Sequence, residues 1–263
     1  PMPPGFVQVR FGDIAALSAQ MDDRTAAVIL ETVPATLGMP IAPPSYFADL
    51  RALCDQHSAL LILDEVQSGL GRTGTMWAIE HWHKSDHDGA CVEPDILVTG
   101  KGLSGGMYPI AATCYRAELN RFMHDNPFIH ISTFGGSEIG CAVALTVLEL
   151  TSAPSFLQRT TKLAERLASG FRHLMARYPE TLVEARQLGL MIGLVFPDET
   201  CGPLMTKLLY EEGVLAIYAN NDQRVLQFLP PLIMDDLEAE EALAALDRAL
   251  ATHSRLRGWH IVH

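Results

Sequence analysis

The chain has 263 residues, 48% hydrophobic and 19% charged, which provides enough apolar material for a large core and predicts two lobes. Its 19 basic residues against 31 acidic ones leave a net charge of −12, which argues against nucleic acid as a partner. No apolar run reaches the roughly 18 to 20 residues that span a bilayer and no secretion leader is recognisable, so we expect a cytoplasmic protein with no membrane partner.

The first predicted elements form a strand, helix, strand unit. Residues 26–31 ("AAVILE") are typical of a short buried strand, residues 45–57 of a helix and residues 59–64 ("ALLILD") of a second strand. Ser45 is the predicted N-cap of the helix. The apolar side chains on one face of this helix are Tyr46, Phe47, Leu50, Leu53 and Cys54. Because a helix separates the two strands, we expect them to be parallel, with a right-handed crossover.

Two further strands follow a helical stretch at residues 75–82. The third is predicted at residues 95–99 ("DILVT") and the fourth at residues 109–115 ("PIAATCY"). The connection between them is too short for a helical crossover, so the fourth strand should run antiparallel to the third.

Two helices are predicted next: an apolar helix opened by a glycine turn within 132–150, and an amphipathic helix at 155–179 that we expect to link two lobes. A smaller α+β lobe is predicted after them, with a strand pair within 182–196, a helix at 203–214, a strand at 225–231 and a closing helix at 235–253. The closing helix has acids in its first turn and basic residues late, as the helix dipole favours.

A polar residue ends or follows each of the three predicted parallel strands: Glu31, Asp64 and, just past the third strand, Lys101. In open α/β sheets, ligands bind in the crevice beyond the carboxyl ends of the strands. A buried carboxylate needs a partner, so Asp64 at the end of "LLILD" should face a cation. We therefore expect these side chains to converge on one site.

Two nucleotide-binding interpretations of this site fail on the residues. A P-loop needs G-x-x-x-x-G-K-[ST], but "VTGKGLSGG" has Asp95 in place of the first glycine and Gly102 in place of the hydroxyl residue. The stretch "GLGRTG" matches the dinucleotide motif G-x-G-x-x-G. Two carboxylates precede it, however, and they would repel a pyrophosphate.

A protonated pyridine nitrogen is a cation that suits the strand end. Pyridoxal phosphate acts as an electron sink only while its ring nitrogen keeps a proton, and an aspartate held against that nitrogen keeps it there. The cofactor also needs a lysine that forms an imine with its aldehyde. Lys101 lies between two glycines, in what we expect to be an apolar setting that favours the neutral, nucleophilic amine.

Three stretches in this order carry a family resemblance: "LLILDEVQSGLGRTG", "PDILVTGKGLSGGMYPIAA" and "STFGGSEIGCAVAL". They resemble the class III (ω-amino acid type) pyridoxal phosphate aminotransferases. This implies the type I, aspartate aminotransferase-like fold, an α/β fold in which a mostly parallel sheet carries helices on both faces. Residues 1–153 would form part of the large cofactor-binding domain and residues 154–263 the small α+β domain. The resemblance covers roughly the last three-fifths of a family chain, so we expect the N-terminal part to be missing.

The resemblance also implies residue roles. Asp64 would pair with the pyridinium nitrogen, Val66 would pack on the ring, and Gln67 would contact the ring hydroxyl. Lys101 would be the Schiff-base lysine and then the base that moves the substrate proton. Thr133, in "STFGG", would bind the cofactor phosphate of the neighbouring subunit, which implies a homodimer with shared active sites.

Each role has a structural alternative. Asp64 could cap a helix or pair with a cation, and Lys101 could be a surface lysine on a glycine loop. Thr133 could cap the helix that follows it. Val66 and Gln67 could be a core aliphatic and a surface amide.

Two positions on the substrate side depart from the family pattern. Relatives that act on α-amino acids carry an arginine before "PP" to bind the substrate carboxylate, where "VLQFLPPL" has Gln227. The family segment "E-P-I-Q-x-E" appears as "ETVPAT", in which Glu31 keeps the first acid and Thr36 replaces the second. Glutamine cannot form a charged fork to a carboxylate. We therefore expect Glu31 and Gln227 to meet a donor such as an ω-amine, a diamine or an amino sugar-like compound.

The activity that the resemblance implies is transfer of an amino group from an amine or amino-acid donor to a keto acid or aldehyde. A racemase, a decarboxylase or an aminomutase could use the same residues, because the cofactor carries the chemistry and the pocket selects the bond. A truncated, non-catalytic remnant of the fold is the remaining alternative.

Other polar residues near these motifs are assigned to structure. The stretch "EHWHKSDHDGACVE" gathers ligand-type side chains, namely His81, His83, Asp86, His87, Asp88 and Cys91. Its glycine, serine and charges are typical of a solvated loop, so we expect a surface insertion and no metal site. For Glu65 and Arg72 we expect a structural ion pair or capping contacts.

Overall fold

The computed structural model describes residues 2–82 and 92–261, which fall into two compact units. Unit 1 consists of Pro1–Thr32, Ala42–Leu70 and Trp77–Thr151, and unit 2 consists of Val33–Ile41, Gly71–Met76 and Ser152–His263. Two short segments from the first half of the chain therefore belong to unit 2.

Unit 1 contains a sheet of four strands: β1 (Ala27–Glu31), β2 (Leu60–Asp64), β3 (Ile96–Thr99) and β4 (Ala112–Tyr115). The strands are adjacent in chain order. As predicted, the first three are parallel and β4 runs antiparallel to β3. In this register Glu31 lies opposite Asp64, and Asp64 lies opposite Val98. The carboxyl ends of the parallel strands thus meet at one edge of the sheet.

Helices and turns surround this sheet. The α-helices are α1 (Ile14–Gln20), α2 (Tyr46–Gln56), α3 (Arg121–Asp125) and α4 (Glu138–Ser152), and the 3-10 helices are Ala78–Trp82, Lys101–Ser104 and Ala117–Asn120. The helical stretch predicted at residues 75–82 is therefore a 3-10 helix. The segment from His83 to Cys91, which contains most of the predicted surface insertion, lies outside the described residues.

Helix α2 covers one face of the sheet. Leu61 and Leu63 of β2 are 0% exposed on that face, and α2 packs against the strand. The five apolar residues predicted to share one face of α2 are all buried. Ser45 is the N-cap residue of this helix, as predicted, but its side chain makes no capping hydrogen bond, because its backbone (φ −86°, ψ −14°) is already helical and a capping serine needs an extended one.

The opposite face of the sheet, on which Asp64 lies, is less covered. Side chains alternate along a strand, so Ile29, Ile62 and Asp64 share this face through the β1–β2 register. Ile29 is 61% exposed, and Ile62 and Val98 are only half-buried. Parallel strands are ordinarily buried on both faces. Unit 1 therefore keeps an apolar sheet face open on the side of Asp64.

Unit 2 contains an antiparallel sheet of β5 (Glu184–Leu188), β6 (Met191–Val195), β7 (Ile217–Ala219) and β8 (Asp222–Phe228), in the spatial order β5-β6-β8-β7. Its helices are α5 (Pro154–Arg177), α6 (Cys201–Glu211) and α7 (Asp236–Ile261). Apolar residues of all three helices and of the sheet form one core cluster, which includes Leu167, Phe171, Met205, Leu226 and Leu246. The predicted helices and strands of this half are all present, and β7 is an addition.

No single helix within 2–82 and 92–261 combines the length and apolarity that a membrane span requires. In those ranges α4 and α5, consecutive helices bent by 64° at the break between them, meet the test together by length and composition.

Candidate active site

The carboxyl end of β2 presents Asp64. Its carboxylate is half-buried, and Oδ1 accepts a hydrogen bond from the backbone N–H of Val66 at 2.9 Å. Among the described residues no hydrogen-bond donor is found for Oδ2, so this oxygen can accept a proton-bearing group. The next residue, Glu65, extends the β2–β3 ladder, because its N–H donates to the carbonyl of Val98 at 2.9 Å.

Lys101 follows β3 after a single glycine and begins a short 3-10 helix. Its backbone is left-handed, with φ +44°, a conformation that non-glycine residues adopt at an energetic cost. The side chain is exposed, so the expectation of an apolar setting is wrong. The glycines on either side supply backbone freedom but no side chains to cover the amine.

Lys101 and Gln67 meet across the two strand ends. Lys101 Nζ donates a hydrogen bond to Gln67 Oε1 at 2.6 Å. Gln67 is only three residues after Asp64, and Val66 between them contacts the Asp64 carboxylate. The structure therefore brings together four of the predicted site residues at one sheet edge: Asp64, Val66, Gln67 and Lys101.

Gly100 explains how closely the two strand ends approach. A Cβ atom built on Gly100 would lie 3.3 Å from the Cβ of Ala111 and 3.6 Å from Cγ1 of Val66. The first separation is tighter than ordinary van der Waals contact. A glycine at this position therefore lets Val66 pack against the backbone that carries Lys101.

Glu31 lies at the same edge, at the end of β1 and opposite Asp64 in the register, and it is half-buried. Thr133 is exposed in the segment before α4. It makes no hydrogen bond with the described residues. The first turn of α4 is instead served by Ser137, whose Oγ accepts from the N–H of Gly140 at 3.4 Å. Helix capping therefore does not explain Thr133.

Glu65, for which we predicted a structural role, is a buried carboxylate. Its side chain is 0% exposed and accepts four hydrogen bonds from Thr32, Ser68, Ala78 and Ile79. Burial raises the pKa of Glu65, and these bonds oppose the rise. The expectation of capping contacts is confirmed for Glu65, while the alternative of an ion pair is not seen for it among the described residues.

Arg72 belongs to unit 2. Its Nη1 donates to the carbonyl oxygen of Pro230, so it supports the turn that follows β8. Burial lowers the pKa of Arg72 to about 10. No ion pair involving Arg72 is found in the part of the chain that the structure describes.

Gln227 and Thr36, the two positions that depart from the family pattern, also lie in unit 2. Gln227 is 7% exposed, and its Nε2 donates to the carbonyl of Tyr218 at 3.3 Å. Thr36 is held by Asn221, whose N–H donates to the Thr36 carbonyl at 2.9 Å and whose Nδ2 donates to the hydroxyl at 3.3 Å. Both side chains thus form hydrogen bonds with uncharged polar groups nearby.

Metal ligation finds no support in the described residues. No group of three or more His, Cys, Asp or Glu side chains that could hold a metal is assembled within 2–82 and 92–261. The cluster between His83 and Cys91 lies outside those ranges.

Comparison with known proteins identifies the family to which this chain belongs. The family model for aminotransferase class-III matches residues 7–250. A curated relative, an uncharacterized aminotransferase from Archaeoglobus fulgidus, is 49% identical over 257 residues, which are 98% of this chain and 58% of the relative.

Solved structures share the fold. An ornithine aminotransferase from Toxoplasma gondii superposes with a TM-score of 0.85 at 30% identity, covering 97% of this chain and 58% of that one. A second structure of that enzyme, described as having partial occupancy of PLP at its active site, gives 0.84 at 31% identity, covering 98% and 59%. An N-acetylornithine aminotransferase from Stenotrophomonas maltophilia gives 0.82 at 30% identity, covering 97% and 64%. The predicted fold class is confirmed, and the chain spans less than two thirds of each of these proteins.

Proposed function

The chain belongs to the class III aminotransferases, and from this premise we propose that it carries out pyridoxal phosphate-dependent transfer of an amino group from an amine or amino-acid donor to a keto acid or aldehyde. The observation that carries the proposal is the contact between Lys101 and Gln67 at the sheet edge that also presents Asp64. This cofactor requires a lysine amine for its imine and a partner for its ring nitrogen, and Lys101 and Asp64 at this edge supply both groups. The cytoplasm is the compartment that we propose for this activity.

The side chains at this edge fit pyridoxal phosphate. Asp64 Oδ2 is available to hold a proton at the ring nitrogen, and Val66 offers an aliphatic surface for one ring face. Gln67 would bind the ring hydroxyl, and Lys101 would hold the cofactor through its amine. When bound, pyridoxal phosphate supplies an electron sink for the bonds at the amino-bearing carbon.

The chain's own residues would handle the protons. Lys101 Nζ would be the group that moves a proton from the amino-bearing carbon of the donor to the cofactor. In the second half-reaction it would move one from the cofactor to the corresponding carbon of the acceptor. Gln67 keeps the lysine amine at the sheet edge between these steps, because its Oε1 accepts from Nζ. The Asp64 carboxylate would face the ring nitrogen and stabilise the proton on it.

We further propose a homodimer in which Thr133 of each chain binds the phosphate in the partner's site. The segment around Thr133 supports this, because it is exposed and rich in large apolar residues. Phe128 is 82% exposed and Phe134 is 76% exposed, and Ile131 and Ile139 are exposed as well. Exposed apolar patches of this kind mark protein interfaces. Light scattering of the purified protein and of Phe134→Ser should distinguish a dimer from a monomer.

The residues at positions 227 and 36 bear on the class of the amino donor. The amide of Gln227 and the hydroxyl of Thr36 carry no charge, and each already has a local partner. Without a guanidinium at position 227, the donor would not be held there by a carboxylate fork. We therefore propose an ω-amine, a diamine or an amino sugar-like donor, with Glu31 at the edge of the site able to meet a cationic group.

Colour and mass test the activity. The purified protein mixed with pyridoxal phosphate should absorb in the visible range, and borohydride should abolish that band. Peptide mass spectrometry after reduction should then find the cofactor on Lys101, and Lys101→Ala should remove it. Product analysis with a keto-acid acceptor should show a new amino acid. A parent protein that stays colourless and leaves Lys101 unmodified would overturn the proposal.

A further inference from the structure

We propose that Glu65 is a positioning residue: its buried carboxylate fixes the turn that presents Asp64 and Gln67 to the cofactor. This inference rests on the proposed function for its catalytic meaning, while its structural part concerns the protein without cofactor. The hydrogen bonds of Glu65 go neither to Lys101 nor to the aspartate oxygen that would meet the ring. It would act through its two neighbours along the chain.

The carboxylate of Glu65 joins three separate parts of unit 1. Oε1 accepts from the hydroxyl of Thr32, just after β1, and from the N–H of Ile79, both at 2.9 Å. Oε2 accepts from the hydroxyl of Ser68 at 2.6 Å and from the N–H of Ala78 at 3.1 Å. The four donors fill the acceptor positions of a fully buried carboxylate. This arrangement offsets the cost of its burial without a cation.

The backbone of Glu65 is held as firmly as its side chain. Its N–H donates to the carbonyl of Val98 at 2.9 Å, and its carbonyl accepts from the N–H of Gly69 at 3.0 Å. A Cβ on Gly69 would lie 2.8 Å from that carbonyl oxygen, so the turn closes tightly. With one residue bound at side chain, N–H and carbonyl, the peptides on either side have little freedom. Asp64 lies before Glu65 and Gln67 lies two residues after it.

The donor pattern makes Glu65 hard to replace. Each carboxylate oxygen meets one backbone N–H, which can donate but never accept. An amide in place of the carboxylate would therefore set its own N–H₂ group against Ala78 or Ile79. A protonated acid avoids this conflict, because its single proton can point to the hydroxyl of Ser68 or Thr32. Glu65→Gln is thus the disruptive variant, and Ser68→Ala and Thr32→Val are milder ones that leave the acid in place.

Two readouts separate positioning from simple stability. The first is the acylation rate of Lys101 in cofactor-free protein, measured by peptide mass spectrometry relative to Lys207, an exposed lysine of α6. The second is the dissociation constant for pyridoxal phosphate itself, from its visible absorbance. The variant Gln67→Ala gives the reference acylation rate for a Lys101 that has lost its hydrogen-bond partner. Leu53→Ala, on the buried face of α2, provides a loss of stability at a residue that makes no bond to Glu65.

We expect Glu65→Gln to bring the acylation rate of Lys101 close to that of Gln67→Ala and to weaken cofactor binding tenfold or more. Ser68→Ala and Thr32→Val should fall between it and the parent, and they carry the test if Glu65→Gln does not fold. Leu53→Ala should change both readouts less than twofold. The inference would be overturned if Glu65→Gln, Ser68→Ala and Thr32→Val changed neither readout. It would also be overturned if Leu53→Ala changed both readouts as much as these variants do at matched unfolding midpoints. A parent that fails to bind the cofactor counts against the proposed function alone, because the acylation measurement still decides the role of Glu65.

Discussion

Lys101 Nζ lies 2.6 Å from Gln67 Oε1, and this hydrogen bond joins the segments that follow β3 and β2. The parallel register makes the contact possible, because Asp64 lies opposite Val98 and both strands end at the same edge. The left-handed backbone of Lys101 then turns its side chain back toward the end of β2. A local conformation and a long-range pairing therefore act together to form the site.

Replacing Lys101 by arginine should sharply reduce turnover while leaving the fold intact. Arginine keeps the length and positive charge but lacks an amine that can form the covalent link or move the proton. We expect kcat/KM to fall by roughly 100-fold to 10,000-fold, the range ascribed to a positioned acid or base. The unfolding midpoint should not change, because the side chain is exposed. Activity within tenfold of the parent in Lys101→Arg would show that another group moves the proton.

Gly100→Ala should destabilise unit 1 and disturb the site. The new methyl group would lie 3.3 Å from Ala111, which must therefore shift, and 3.6 Å from Val66, which is an ordinary contact. We expect a loss of about 1–3 kcal/mol in the free energy of unfolding, as for other overpacked positions. Gly102→Ala is the matched control, because its methyl group would meet only Leu70 Cδ1 at 3.5 Å. Urea unfolding of both variants measures the difference; equal losses would mean that the spacing at Gly100 is unimportant.

Asp95 should make unit 1 sensitive to acid. Its Oδ2 accepts from Arg51 Nη1 and from the N–H of Leu61, each at 2.7 Å. Burial alone would raise the pKa of Asp95, but these hydrogen bonds, together with the charges of Arg51 and Arg116, outweigh burial and hold the pKa below its ordinary value of 3.8. Because the pKa of Asp95 is lower in the folded protein than in the unfolded chain, the carboxylate stabilises the fold fully at any pH above its pKa in the unfolded chain. This stability is lost as the pH falls through the pKa of Asp95 in the folded protein.

The measurement is urea unfolding of Asp95→Asn at several pH values. At pH 7 the variant should lose roughly 2 kcal/mol, the scale of a hydrogen bond to a charged group. The difference from the parent should shrink once the pH falls below 3.8. Asp125→Asn is the control, because its pairing with Arg121 is exposed to solvent and should contribute little. A loss for Asp95→Asn that is constant at every pH would contradict the argument.

Thiol labelling should distinguish Cys54 from Cys114. Burial raises the pKa of Cys54 to about 11, and its side chain is 0% exposed. Only about a thousandth of such a thiol is ionised at pH 8, and the thiolate is the reactive form. Cys114 is exposed and should react with iodoacetamide first. Both should react equally in urea, and equal rates in the folded protein would show that α2, which carries Cys54, opens readily.

Donor kinetics test the role of position 227. An ω-amine or a diamine should be turned over with a higher kcat/KM than glutamate or acetylornithine, because an amide cannot hold a carboxylate by a charged fork. Gln227→Ala should then change kcat/KM for the preferred donor only modestly. Efficient turnover of glutamate or acetylornithine, unaffected by Gln227→Ala, would remove the proposed donor class.

The strand pairing and the position of the site could be predicted because they depend on local patterns. Apolar runs that end in Glu31 and Asp64, separated by an amphipathic helix, are sufficient to predict two parallel strands whose polar ends share an edge. The role of Glu65 could not be predicted in the same way. Alternation shows that Asp64 and Glu65 face opposite sides of the strand, but the donors to Glu65 come from Thr32 and from Ala78 and Ile79, and no sequence pattern links these positions.

Two other differences between the sequence-based predictions and the structure, at β7 and at Lys101, have equally specific causes. Strand β7 is only three residues long, and its pairing with β8 shifts register between Tyr218 and Ala219, so no alternation is long enough to recognise. The exposure of Lys101 depends on the path of the glycine-rich segment after β3. Glycines permit many backbone conformations, and the sequence alone does not select the left-handed one at Lys101.

Ile29, exposed to solvent in the middle of β1, affects how the isolated chain behaves in concentrated solution. An edge strand with an exposed aliphatic side chain presents both unpaired peptide groups and an apolar surface to neighbouring molecules. Sulfate and other kosmotropic ions strengthen such contacts. Ammonium sulfate should therefore precipitate this protein at low saturation, and Ile29→Lys should raise the concentration of salt that is needed.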